Sequence, residues 1–277
     1  MVFYRRSTST STSTTTTVND KPAPIVANIT QTFYDSMASQ YEKFYPDWDT
    51  AVKDEAKFLS EVFERYGFDK KAQILDCACG IGTQTIGLAS LGYSIIGSDI
   101  SVGEIEEARK RAAKYKVNID FEQADFCALS DVFSGKFDII IALDNALPHM
   151  LTSEALAKAI KSILNQINDG GIFVASIRDY DLVLRDKPVH SAPYIHKTDK
   201  GQRVLFQTWE WEGDNYKFIQ YIIDDEEKTT VSRFKCEYRA TRREEITKYL
   251  YESGCREVNW ELPEKTGFYQ PIVVARK

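Results

Sequence analysis

The chain has 277 residues, 43% of them hydrophobic and 27% charged, with a formal net charge of -6. That is ordinary for one large soluble domain or two small ones. It argues against a nucleic-acid surface, because backbone binding needs clustered Lys and Arg; the densest basic run, "EARKRAAKYK", reads as a solvated helix face. The longest apolar run, Ile139 to Leu143, is strand length and falls short of the ~18 residues a membrane helix needs. Five cysteines, an odd number, do not suggest a disulfide framework and fit a reducing, cytoplasmic setting.

Residues 1–29 contain the tract "STSTSTSTTTT", closed by Pro22 and Pro24. A polar tract with nothing to bury is expected to be disordered. From Thr30, Phe33, Met37 and Tyr41 recur every four residues, which predicts a helix ended by Pro46. A second helix is predicted over 51–67, with Val52, Ala56, Leu59, Val62 and Phe63 on one face. Short apolar strands then alternate with helices: strands at 72–78, 93–99, 118–123, 137–143 and 172–177, helices at 83–92, 102–115 and 153–167. That alternation predicts a parallel sheet covered on both faces. After Asp181 the pattern turns antiparallel, with strands at 203–213, 215–224 and 229–240. A helix over 241–254 follows, with Thr241 as its cap and Glu244 three residues on, and then a final pair of strands.

The chemistry concentrates where strands end. "ILDCACGIGTQT" places Asp76 at the end of the first strand, with Gly80 and Gly82 in the turn before a helix. Glycines let a ligand approach the backbone, and a helix N-terminus offers free N–H groups. A dinucleotide fingerprint needs a third glycine at 85, where Thr85 stands. Asp76 would also repel a pyrophosphate and suit a cation, which favours a ligand bearing an ammonium group over NAD. Cys77 and Cys79 have no second ligand pair, so no metal is expected. Asp99 ends the second strand, where an acid fits a ribose diol or caps the next helix. Asp125 and Phe126 end the third, an edge and a face for an adenine.

Together these pieces resemble the class I S-adenosylmethionine-dependent methyltransferases. The match runs through "ILDCACGIGTQT", "IIGSDIS", "FEQADF" and "FDIIIALDNALPHM", in the family's order, within residues 30–277. The resemblance implies an α/β fold: a Rossmann-like, seven-stranded, mostly parallel sheet with helices on both faces and the last strand antiparallel. It implies one domain over 30–277, with an N-terminal helical lid (30–66) and an antiparallel insertion after strand five (182–240). It implies S-adenosyl-L-methionine as cofactor, S-adenosyl-L-homocysteine as product, and Tyr41, Asp76, Ala78, Gly80, Gly82, Asp99, Ile100, Asp125, Phe126 and Leu143 as cofactor-binding residues.

"GGIFVASIRDYD", "LDNALPHM" and "FYDSMASQYEKFYPDW" resemble, more narrowly, the glycine N-methyltransferase and glycine/sarcosine methyltransferase group. That implies a small amine as partner, with neither nucleic acid nor membrane. It implies Arg178 for a substrate carboxylate, with Tyr45, Asn145, His149, Tyr180 and Tyr194 around the acceptor and Tyr45 and His149 as catalytic residues. Two positions depart from the group: Asp179 replaces an asparagine, and the lid's basic cofactor contact has only Lys53 as a candidate. A small-molecule O-methyltransferase shares most of these features, and a non-catalytic SAM-binding protein would share the cofactor motifs.

Overall fold

The computed structural model describes residues 29–277. The tail expected over 1–29 lies outside the described residues except for Ile29, which opens α1 (Ile29–Met37). The chain does not continue as one helix to Pro46 as predicted. It tightens at Ala38 into a 3-10 turn that runs to Phe44, and this turn folds Tyr41 and Phe44 over the sheet. α2 (Trp48–Arg65) starts earlier than predicted because Asp47 caps it, its carboxylate accepting from the amides of Asp49 and Thr50.

The central sheet comprises β1 (Gln73–Asp76), β2 (Ser94–Asp99), β3 (Asp120–Gln123), β4 (Phe137–Ala142), β5 (Ile167–Ser176), β10 (Glu257–Glu261) and β11 (Ile272–Arg276). Their order is β10-β11-β5-β4-β1-β2-β3, with β11 antiparallel to both neighbours. Ile139, Ile140 and Ile141 of β4 are fully buried, as a central strand covered on both faces requires. The covering helices are α3 (Thr83–Ser90), α4 (Val102–Tyr115), α5 (Ser153–Asn165) and, with α2, α7 (Arg243–Glu252). α5 buries Leu156, Ala159, Ile160, Ile163 and Leu164. It stops two residues short of the prediction, because Ile167 already belongs to β5 and pairs with Phe137. α2 and α3 approach backbone to backbone: a Cβ at Gly87 would collide with the Val52 carbonyl.

Between β5 and α7 the chain forms α6 (Tyr180–Asp186), which the sequence pattern did not reveal, and a second sheet. That sheet has four strands, β6 (Tyr194–Thr198), β7 (Gly201–Glu212), β8 (Asn215–Asp225) and β9 (Thr230–Arg239), all antiparallel. Only the last three were predicted; β6 is an exposed edge too mixed in pattern to stand out. The α7 cap is also corrected: Arg242 is the N-cap residue, and the Thr241 hydroxyl donates to Arg239 O instead. A short helix, α8 (Pro263–Thr266), joins β10 to β11.

The strand order reverses direction on either side of β1, so the turns after β1 and β4 diverge there and leave a crevice at the carboxyl ends of the strands. The lid closes over this crevice. Asp35 accepts from the Ser101 hydroxyl at 2.6 Å and the Gly103 amide at 3.0 Å. Lys43 pairs with Asp224 at 2.6 Å, tying the lid to the second sheet.

Candidate active site

Two cavities meet under the lid. The first, of about 190 Å³, lies on the strand ends and is lined by Ala78, Gly80, Asp99, Ile100, Asp125, Phe126 and Leu143, with Tyr41 from the lid. The second, of about 370 Å³, lies between the lid and the second sheet and is lined by Tyr45, Glu55, Asn145, Arg178, Gln207 and Gln220, among others. Tyr34, Tyr41 and Asp144 line both, so they mark the junction.

The turn after β1 shapes the first cavity. Gly80 and Gly82 both have positive φ, +51° and +89°, a conformation that costs other residues a Cβ clash. Asp99 pins this turn to β2: one carboxylate oxygen accepts from Gly80 N at 3.0 Å and the other from Ser101 N at 2.9 Å. Burial pushes its carboxyl up to about 6. Asp125 caps the turn after β3 and accepts from Cys127 N at 2.8 Å. An acid at the end of β2, exposed backbone in the glycine turn, and Asp125 beside Phe126 suit a ribosyl adenine ligand. Asp76 and Gly82 do not line the cleft. Asp76 lies beneath it, its carboxyl pushed up to about 7, mainly by burial.

The three residues after Gly82, ending at Thr85 where a dinucleotide loop would carry its last glycine, tie the turn to its surroundings. The Thr83 hydroxyl accepts from Trp48 Nε1 at 3.0 Å and lies 3.4 Å from the Tyr45 hydroxyl. Gln84 Nε2 donates to Glu55 at 2.6 Å and to Asp144 at 2.9 Å. The Thr85 hydroxyl donates to Asp76 at 2.7 Å. The sequence reading noted only the missing glycine. These side chains connect the loop to the lid, to the β4 exit and to the buried acid.

At the β4 exit Asp144 and Asn145 are both left-handed, with φ of 55° and 71°. Asp and Asn tolerate this better than other non-glycine residues, at roughly 1–3 kcal/mol each. The clamp is visible: Asp144 N donates to Ser176 Oγ, Asn145 N to Ser176 O, and Arg178 N to Asn145 Oδ1. The strained turn delivers Asp144 to the junction. There its carboxylate also accepts from the Tyr269 hydroxyl. Burial raises the Asp144 carboxyl, and burial together with Asp144 raises that of Glu55 to about 9.

Arg178 follows β5. Its guanidinium donates to Gln207 Oε1 at 3.0 Å and to the Tyr216 hydroxyl at 3.3 Å, and lies over the Trp209 and Tyr238 rings. Asp179 and Asp181, the neighbouring acids that could have neutralised it, are both taken by Arg243, at 3.1 and 2.8 Å. Among the described residues Arg178 makes no ion pair.

The other expected acceptor residues separate. Tyr45 and Asn145 line the second cavity. Tyr180 is buried behind it, its hydroxyl bonded to Asn145 and Tyr216. His149 lines the first cavity rather than the second; Tyr34 holds its Nε2 at 2.8 Å. Burial pushes its pKa down to about 3, so it is a neutral, positioned imidazole and a poor proton acceptor. Tyr194 is 65% exposed on β6 and lines neither cavity, because β6 is the outer edge of the second sheet. Lys53 is exposed on α2 and lines neither cavity. Cys77 and Cys79 are free, buried thiols whose pKa burial raises.

Glu55, Gln84 and Asp144 were missed. Glu55 had a signal, since it sits three residues after Val52 on the apolar face of α2, where an acid is out of place. Asp144 followed directly on an apolar strand, as strand-end ligands do.

Known proteins resemble this chain in sequence and in fold. Residues 74–171 match the family described as "Methyltransferase domain". A glycine/sarcosine N-methyltransferase of Halorhodospira halochloris is 24% identical over 155 residues, 56% of this chain and 56% of that protein. Little more than half of that relative's length is thus matched. Among solved structures, an S-adenosylmethionine-dependent methyltransferase from Clostridium acetobutylicum superposes with a TM-score of 0.67 at 20% identity, covering 88% of this chain and 97% of the other. A sugar N-methyltransferase from Streptoalloteichus gives 0.70 at 17% identity, covering 86% and 92%. At such identities the likeness is one of fold.

Proposed function

We infer that this chain, a class I S-adenosylmethionine-dependent methyltransferase, methylates the amine of a small molecule that also carries a carboxylate. The observation that carries this reading is Arg178: a guanidinium without an acid partner in the wall of a cavity that meets the cofactor cleft. A planar, permanently charged fork in a partly dry wall suits bidentate capture of a carboxylate. The Halorhodospira relative is named for glycine and sarcosine, both amines bearing a carboxylate.

The bound cofactor supplies a methyl group made electrophilic by its sulfonium. The chain's own residues do the rest. Asp99, Asp125 and the glycine turn hold the nucleoside end. Arg178 fixes the acceptor's carboxylate, so that its amine reaches the junction at Tyr34, Tyr41 and Asp144. Holding nucleophile and methyl in line is the main source of acceleration in such a displacement. An amine attacks only when neutral, and the carboxyls of Glu55 and Asp144, which line the second cavity, are placed to take its proton. The lid excludes water.

Calorimetry with S-adenosylmethionine and with NAD is the first test, and heat with NAD alone would refute this reading. Incubation with the cofactor and a panel of amines, amino acids and phenols follows, read by the mass gain of one methyl group. Methylation of phenols and of no amine would replace the proposal with O-methyl transfer.

A further inference from the structure

The second cavity is too large for the smallest amino acids. Its volume of about 370 Å³ lies in the range of sites that hold drug-sized ligands. Glycine or sarcosine would fill a small part of it. The remainder would be water lying against Phe33, Met37, Phe44 and Phe218, which line the cavity from α1, the lid turn and β8. Phe33 and Phe218 meet edge to face with centroids 5.5 Å apart, and neither ring offers water a polar partner. Ordered water needs two to four such partners. Another stretch of the same wall is a connected polar chain: Gln220 Oε1 accepts from Gln207 Nε2 at 2.8 Å, and Gln207 Oε1 accepts from Arg178.

We propose that the acceptor is an amino acid or amino-acid-like amine with a bulky apolar side chain of about one aromatic ring. Its carboxylate meets Arg178, its amine meets the junction, and its apolar body lies against the phenylalanines of the lid side. This rests on the amine-transfer reading above and adds what the acceptor must look like away from the reacting atoms. The lid phenylalanines and methionine are then the specificity-determining residues.

The test compares kcat/KM for glycine, sarcosine, phenylalanine, tryptophan, phenethylamine and glucosamine under saturating S-adenosylmethionine. Phenylalanine or tryptophan is expected to exceed glycine by about a hundredfold, since a filled apolar pocket discriminates by roughly tenfold or more per few methylenes. Phenethylamine, without the carboxylate, is expected to fall at least about tenfold below phenylalanine. Glycine or sarcosine used as well as phenylalanine would overturn the proposal while leaving amine methylation intact. So would turnover of glucosamine alone. Cofactor binding with no amine methylated would overturn the amine reading itself, and this proposal with it. A conservative variant gives a second check: Phe44→Leu is expected to reduce the preference for phenylalanine over glycine several-fold, with cofactor affinity unchanged by calorimetry. An equal loss on every acceptor would overturn the assignment of Phe44 to the side-chain pocket.

Discussion

The two cavities share a wall but are built differently. The first cavity is made mostly of strand ends: the glycine turn after β1, Asp99 as the last residue of β2 and Asp125 two residues beyond β3, with Tyr41 from the lid. The second cavity is made of side chains that the fold gathers from α1, the lid turn, α2, the exits of β4 and β5, and three strands of the second sheet, among others. Strand ends hold their geometry through the sheet's hydrogen bonds, so the first site is rigid and tolerant of change around it. The second can be rewritten one side chain at a time. Such a division lets one fold serve many acceptors while keeping a single cofactor.

If the division is real, damage should stay on one side. Arg178→Leu is the severest case. Losing one partner of a desolvated charge pair costs about 4 kcal/mol, so kcat/KM for a carboxylate-bearing acceptor should drop roughly a thousandfold, while cofactor affinity by calorimetry changes little. Equal losses in both would show that Arg178 supports the fold and would erase the distinction. Asp99→Asn is the mirror image. Removing a charged acceptor costs about 2 kcal/mol, or roughly thirtyfold in cofactor affinity, and acceptor KM at saturating cofactor should stay put. A matching rise in that KM would mean that the glycine turn and the acceptor cavity move together.

The contrast also explains what could be read from the sequence. The parallel sheet, its helices and many of the residues that line the first cavity were legible because period and position coincide there: an apolar strand ends in Asp99, or Asp125 and Gly80 follow within two to four residues. Arg178 was legible for the same reason. The acceptor cavity was not, because nothing local marks Gln207 or Gln220 as neighbours of Arg178; only strand pairing across β7 and β8 brings them together. Tyr194 went astray because an aromatic in a short, mixed segment gives no sign that it sits on an outer edge. His149 kept its place but not its expected chemistry, since burial against Tyr34, Tyr238 and Cys236 depends on elements far away in sequence.

The junction can be probed through pH. Glu55 ionises near 4.5 when free in solution and near 9 when folded, because burial and Asp144 oppose its charge. A group whose pKa rises on folding contributes its full stability below the unfolded value and loses it as pH climbs through the folded value. The melting temperature should therefore decline as pH rises from about 4.5 to about 9. Glu55→Gln, which keeps an oxygen for Gln84, should flatten that decline. An unchanged slope in thermal unfolding scans across this range would place the titrating group elsewhere.

The mildest test returns to the loop beneath the cleft. Thr85→Val keeps the shape of the side chain and removes only the hydroxyl that donates to Asp76. Asp76 would then retain the longer bond from Ala78 N, at 3.4 Å. A buried carboxyl that loses its best donor costs about 1–2 kcal/mol, which is a fall of about 2–4 °C in melting temperature per kcal/mol for a chain of this size. Because Asp76 lies under the cleft and outside both cavity walls, cofactor affinity should weaken only about threefold and acceptor use should not change beyond that. Thr85→Ser should restore both values. Thr85→Gly completes the pattern of a dinucleotide loop but leaves Asp76 beneath it, so it should lose stability as Thr85→Val does and gain no affinity for NAD. A gain in NAD binding on that single change would mean that position 85, and not the acid below the loop, decides which cofactor the cleft accepts.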